Sequence, residues 1–103
     1  MNLRHVDLNL LVYLDVVLRE KNVTRAAEQL GITQPAMSNS LKRLRKLFGD
    51  PLLVRSSEGM TPTEFALQLH PRIRELLDDV AKLLAPKSEF RPYSTCLLYT
   101  SDA

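Results

Sequence analysis

The strongest constraint on this chain is a pair of short helical patterns separated only by Gly31-Ile32-Thr33. Thr24 is a good N-cap for a helix over Arg25 to Leu30, because its hydroxyl can accept a free backbone N–H of the first turn. Gly31 follows at once, where a left-handed residue closes a helix. Thr33 caps again, and Pro35 falls in the first turn of the next helix, where its missing N–H costs little. That helix is predicted over Gln34 to Phe48, with Met37, Leu41, Leu44 and Phe48 on its inner face. Gly49 stops it and Pro51 prevents its resumption. The small pair Ala26-Ala27 lets the first helix approach the second closely, and Ile32 and Met37 plug the angle between them. Two short helices joined by a tight turn containing Gly read as a helix-turn-helix.

The flanks extend this unit. Leu8, Leu11, Leu14, Val17 and Leu18 fall at three- and four-residue spacing, which predicts a helix from Leu8 to Glu20 with Asp7 as its N-cap. Leu10, Val12 and Val16 make that helix apolar on more than one side, so it is expected to be largely buried or shared with a partner. Leu52 to Arg55 reads as a short strand, Ser56 to Gly59 as a turn, and Met60-Thr61 as a return strand. A hairpin after a helix-turn-helix reads as a winged helix. The expected fold class is therefore mainly α: three short helices and a two-stranded wing, followed by a long linker helix.

That last helix is predicted from Thr63 to about Leu84. Ala66, Leu69, Ile73, Leu76, Val80 and Leu83 alternate spacings of three and four, an a/d seam that Leu77 and Leu84 widen. Two readings stay open, dimer packing along the seam or packing on the helix's own domain. Pro71 inside it predicts a kink near residues 67–71. The helical pattern fails at Pro86. The expected layout is a winged helix-turn-helix over 1–62, a linker helix over 63–85, and a linker remnant with a non-native or disordered tail over 86–103.

Composition excludes several classes. In 103 residues, 45% are hydrophobic and 25% charged, which is ordinary for a globular domain and unlike a disordered or collagenous chain. One cysteine, Cys96, allows no disulfide within the chain and no cysteine-built zinc site. No apolar run reaches the ~20 residues of a membrane span, and Met1 to His5 has no signal-peptide core. A reduced, cytoplasmic domain without membrane contact is expected. The net charge of +2 is unevenly spread: residues 1–60 carry nine Lys or Arg against six acids, and Lys42, Arg43, Arg45 and Lys46 cluster with no acid among them. Such a stretch is either a phosphate footprint or a solvated helix face. An enzyme is not expected. His5 and His70 lie on separate segments, Asp78-Asp79 point apart on a helix, and neither a Gly-rich phosphate loop nor a metal-ligand spacing occurs.

Thr24-Arg25-Ala26-Ala27, followed by Leu30 through Ser38, resembles the DNA-binding domain of the LysR-type transcriptional regulators. Leu41, Leu44, Phe48-Gly49, Pro51-Leu52-Leu53, Arg55 and Gly59-Met60-Thr61-Pro62-Thr63 continue the resemblance, which covers about Leu8 to Leu84. Three positions depart from it. Arg45 stands where the family usually has Glu, Leu53 where it often has Phe, and Phe65-Ala66 where a small Ala-Gly pair is common.

The resemblance implies sequence-specific binding of double-stranded DNA, with the helix Gln34–Phe48 in the major groove of an interrupted inverted repeat. Gln34, Pro35, Ala36, Ser38, Asn39 and Arg43 would read bases: amides suit adenine, apolar surface suits thymine methyls, and Arg43 suits guanine or a phosphate. Thr24, Arg25, Thr33, Lys42 and Thr63 would hold phosphates, and Arg55 on the wing would enter the minor groove. Arg45 and Lys46 are expected to be solvated or partner-facing. The implied partners are a homodimer through Ala66, Leu69, Ile73, Leu76, Val80 and Leu83, with higher oligomers open in the full-length protein, and RNA polymerase as a further candidate. No cofactor is expected in this chain. A small-molecule effector would bind a C-terminal sensing domain that the chain lacks, which makes Cys96–Ala103 an expected non-native end. The alternatives are a winged helix used for protein–protein contact, or an inactive fragment.

Overall fold

Apolar residues on nearly every side of the first long helix give it the central place. In the computed structural model, which describes residues 2–86, α1 (Asn9–Glu20) packs against α2 (Val23–Leu30), α3 (Gln34–Phe48) and α4 (Glu64–Leu83). A single 3-10 turn, Leu3–His5, precedes it, and the wing is β1 (Leu53–Ser56) paired antiparallel with β2 (Gly59–Pro62). Leu10, Leu14, Val16, Val17 and Leu18 of α1 meet Ala26 and Ala27 of α2, and Met37, Leu41 and Leu44 of α3, in one buried cluster. Ile32 packs against that cluster from the turn, and Met37 is wholly buried, so both fill the α2–α3 angle as expected. Among the described residues no helix is long and apolar enough to cross a membrane.

Both helices of the central motif end as their residues predict, but two caps differ. Thr33 Oγ1 accepts the Ala36 N–H at 3.2 Å, and α3 spans Gln34 to Phe48. Gly31 closes α2 at φ +68°, a conformation that glycine adopts without a Cβ penalty. The cap of α2 is Asn22, not Thr24: Asn22 Oδ1 accepts the Arg25 N–H at 2.8 Å, so α2 starts two residues earlier than expected. Asn equals or exceeds Thr as a cap, and Thr24 is thereby left inside the first turn with its hydroxyl exposed. At α1 the capping position is Leu8, which makes no side-chain cap bond, and Asp7 Oδ1 accepts the Asn9 N–H from one residue further out.

The wing also begins one residue later than its pattern predicts. Leu52 is wholly buried at φ +64°, a left-handed conformation that costs an L-residue roughly 1–2 kcal/mol. It centres a tight three-residue turn closed by Leu53 N–H to the Pro51 carbonyl at 2.6 Å, the hydrogen-bond pattern of a γ-turn. The register pairs Leu53 with Pro62, Val54 with Thr61, Arg55 with Met60 and Ser56 with Gly59. Thr63 N–H donates to the Leu52 carbonyl at 3.0 Å. By the alternation of an antiparallel ladder, Leu53 and Pro62 then form a non-hydrogen-bonded pair whose backbone groups point away from the opposite strand. Pro62 therefore sits where the hairpin needs no N–H.

The long helix divides its seam. Ala66 and Ile73 are buried in the domain's own core, and Leu69 and Leu77 pack against it. Further along, Leu76, Val80 and Leu83 are 48%, 42% and 74% exposed. Helix assignment runs unbroken through Pro71. Phe65 at its start meets Phe48 at the end of α3, ring centroids 6.1 Å apart and tilted by 54°. The tail expected to be non-native, including Cys96, lies outside the described residues.

Candidate nucleic-acid interface

The first turn of α2, the first turns of α3 and the wing converge on one concave surface. Its groove, about 400 Å³, is lined by Asn22, Val23, Thr24, Gln34, Ser38, Arg55, Gly59 and Met60. Four predicted site residues, Thr24, Gln34, Ser38 and Arg55, thus come together from three elements. Each is exposed and polar. Arg25, beside Thr24, lines the adjoining groove with Glu20, Lys21 and Glu58.

With about 100° of rotation per residue, Pro35, Ser38, Asn39, Lys42 and Lys46 lie along the outward face of α3, opposite Met37, Leu41 and Leu44. All five are exposed, and Gln34 is exposed on the edge nearest the wing. Arg43 falls on the other flank, where it lines a separate groove with His5, Val6, Asp7, Leu10, Lys46 and Leu47. Ala36 is half-buried, and Thr33 is exposed with its oxygen engaged by the Ala36 N–H. Among the described residues Arg25, Lys42, Arg43 and Arg55 make no ion pair; the pairs present are Arg19–Asp15, His70–Asp15 and Lys82–Asp78. The outward face thus carries cations without internal neutralisation.

The wing tip is held by its own hydroxyls. Ser56 Oγ and Thr61 Oγ1 lie 2.7 Å apart across the hairpin, and Ser56 Oγ accepts the Glu58 N–H at 3.2 Å. Arg55 stands immediately before this bracket on an exposed strand position.

Two residues make contacts that the sequence does not signal. Thr63 donates its hydroxyl to Asp50 Oδ2 at 2.7 Å and its N–H to the Leu52 carbonyl at 3.0 Å. The same oxygen caps α4 by accepting the Ala66 N–H at 3.1 Å. Arg45, half-buried, turns back onto its own chain: its Nε donates to the Pro51 carbonyl at 2.8 Å and its Nη2 to the Leu53 carbonyl at 3.0 Å. Sequence reasoning missed this clamp, and also missed Asp50, whose Oδ2 accepts the Leu52 N–H at 2.8 Å. Nothing in the local pattern signals either one, since the partners are backbone groups of a turn whose conformation residue types do not announce.

A helix-turn-helix with its second helix exposed beside a two-stranded wing defines the winged helix-turn-helix class. Residues 8–67 match the family described as "Bacterial regulatory helix-turn-helix protein, lysR family". The chain belongs to that family, and its fold is that of a LysR-type DNA-binding domain. It is 44% identical over 95 residues to the HTH-type transcriptional activator NagR of a Ralstonia species, covering 92% of this chain and 32% of NagR. It is 48% identical over 93 residues to the transcriptional regulator LeuO of Escherichia coli, covering 90% of this chain and 29% of LeuO. The chain thus spans about a third of the length of these relatives. Among solved structures, the probable transcriptional regulator PA0477 of Pseudomonas aeruginosa superposes with a TM-score of 0.75 at 35% identity, covering 90% of this chain and 31% of that one. The DNA-binding domain of BenM, crystallised with catB site 1 DNA, superposes at 0.70 with 29% identity, covering 76% of this chain and 88% of that one.

Proposed function

We propose that this chain is the sequence-reading module of a cytoplasmic transcriptional regulator that binds an inverted-repeat duplex as a homodimer. The observation that carries the reading is the groove uniting Thr24, Gln34, Ser38 and Arg55 at the open ends of α2, α3 and the wing. A helix presenting amide, hydroxyl and apolar side chains on one exposed face matches what base edges offer in the major groove. Gln34, Pro35, Ser38 and Asn39 read bases in this proposal, with Ala36 supplying apolar surface at the helix start. Lys42 lies further along the same face and takes a phosphate. Arg43, on the flank, suits a backbone phosphate better than a guanine. Thr24, Arg25 and Thr33 hold the duplex by its backbone at two helix N-termini. Arg55 reaches the minor groove from the wing.

The second protomer docks on the bare half of the α4 seam, Leu76, Val80 and Leu83, since Ala66 and Ile73 are spent on the protomer's own core. A sensing domain beyond this chain, a small-molecule effector bound there, and contact with RNA polymerase belong to the regulator as a whole. The protein-contact alternative would leave the outward face of α3 without a use for its unpaired cations.

Selection of the chain on a random duplex library at moderate salt tests the proposal. Enrichment of an interrupted dyad, with half-sites about one helical turn apart, is expected. Failure to bind any duplex would overturn it. On a panel of single-base variants of the selected site, Gln34→Ala is expected to change preference at one position, whereas Arg55→Ala weakens binding to most of them.

A further inference from the structure

We infer that Arg45 is a positioning residue for the wing: it sets where Arg55 meets DNA by clamping the strained turn that joins α3 to β1, without itself touching the duplex. The inference rests on the proposed DNA-binding role and deepens it.

Leu52 holds a left-handed backbone while wholly buried, so the turn cannot relax by swinging its side chain into water. Four hydrogen bonds hold it from three sides. Arg45 Nε and Nη2 take the carbonyls of Pro51 and Leu53, on either side of Leu52, at 2.8 and 3.0 Å. Asp50 Oδ2 takes the Leu52 N–H at 2.8 Å, and Thr63 N–H takes the Leu52 carbonyl at 3.0 Å. The Leu53 carbonyl points away from β2, so β2 cannot satisfy it. Arg45 supplies the donor that a third strand would otherwise provide.

A planar guanidinium presents fixed, parallel donors and so fixes the spacing between two carbonyls, which a single ammonium cannot do. The clamp is rooted in α3, the helix that carries Gln34 and Ser38. It ends two residues before Arg55. The orientation of the wing is therefore referred directly to the reading helix. The same Asp50 oxygen accepts from the Thr63 hydroxyl at 2.7 Å, so the start of α4 shares the knot.

The test is a set of duplex titrations by fluorescence anisotropy on the 103-residue chain, with Arg45→Ala, Arg55→Ala, Gln34→Ala and the pairwise double variants. Arg45→Ala is expected to weaken binding about tenfold, and the Arg45/Arg55 double variant to bind no more than about twofold worse than Arg55→Ala alone. The Arg45/Gln34 pair should be additive. Hydrogen exchange on the free protein should show faster exchange across residues 53–62 in Arg45→Ala, with α1 and α3 unchanged. Arg45→Lys, which keeps the charge and one donor direction, should fall between the two and covers the case in which the alanine variant does not fold. Additive loss with Arg55, or unchanged exchange in the wing, overturns the positioning role. If the wild-type chain binds no duplex, the DNA-binding proposal fails, while the exchange measurement still decides whether Arg45 holds the wing.

Discussion

His70 and Asp15 meet across 55 positions of sequence, Nε2 to Oδ1 at 2.8 Å, with both side chains largely withdrawn from water. Asp15 also faces Arg19 at 3.4 Å, one turn further along α1. A hydrogen bond to a partly buried carboxylate contributes on the order of 1–2 kcal/mol. His70→Ala is accordingly expected to lower the thermal midpoint by several degrees while leaving affinity for duplex DNA unchanged, as melts and titrations on the same samples would check. The sequence shows only that His70 lies apart from His5 on another segment, because a contact between two helices depends on how they cross, and periodicity does not report crossing. Asn22 and Thr24 make the same point locally. Both are capping residues, two positions apart, and only the entering chain selects between them. Asn22→Ala should cost about 1 kcal/mol of stability. Thr24→Ala should cost almost none and instead weaken DNA binding. Exchange of these two outcomes in denaturant melts and titrations would reverse the assignment of cap and contact.

The helices were legible at the level of elements because their signals are local and redundant. Thr33, Pro35, the Met37–Leu41–Leu44–Phe48 face and Gly49 all specify α3, and its bounds are those expected. Gly31 supports the same motif through its backbone. Its φ of +68° leaves open space where a Cβ would sit, so the cost of a side chain there is conformational and not steric. Gly31→Ala is expected to destabilise the domain by roughly 1–2 kcal/mol, with Gly31→Asn milder because Asn tolerates the left-handed region. Urea midpoints of the two variants would check that order. The wing was less legible. The apolar run after Pro51 placed its first strand at Leu52, but the buried left-handed turn at Leu52 postpones pairing to Leu53. A non-glycine residue at positive φ leaves no mark in a pattern of apolar and polar residues. The helix-turn-helix was legible in the spacing of Gly31, Thr33 and Pro35, whereas the Arg45 clamp and the Thr63–Asp50 bond depend on how the turn before the wing folds back.

At the scale of the whole molecule, α4 belongs to its own domain at one end and is bare at the other. Leu83 and Leu84, at 74% and 76% exposure, crown an apolar surface that the other described residues leave uncovered. Replacing Leu76, Val80 and Leu83 together by Ser is expected to give a monomer in sedimentation while the domain's melting temperature changes little, since those side chains add nothing to the core. Such a variant should lose affinity for an inverted repeat far more than for a single half-site. Binding by the intact chain should fall with salt at a log–log slope near −0.9 per phosphate neutralised. The seven-residue periodicity of the seam raised this question at the sequence level, but only burial divided it between core and surface. A different kind of association is guarded against elsewhere. A two-stranded ribbon has two free rims, each a template on which another chain can zip up and seed aggregates. Here the β1 rim is spent at Leu53, whose N–H goes to Pro51 and whose carbonyl goes to Arg45. Directly across, Pro62 has no N–H to offer an incoming strand. At this pair neither rim offers a free donor, which makes that end of the wing a poor nucleus for cross-β growth.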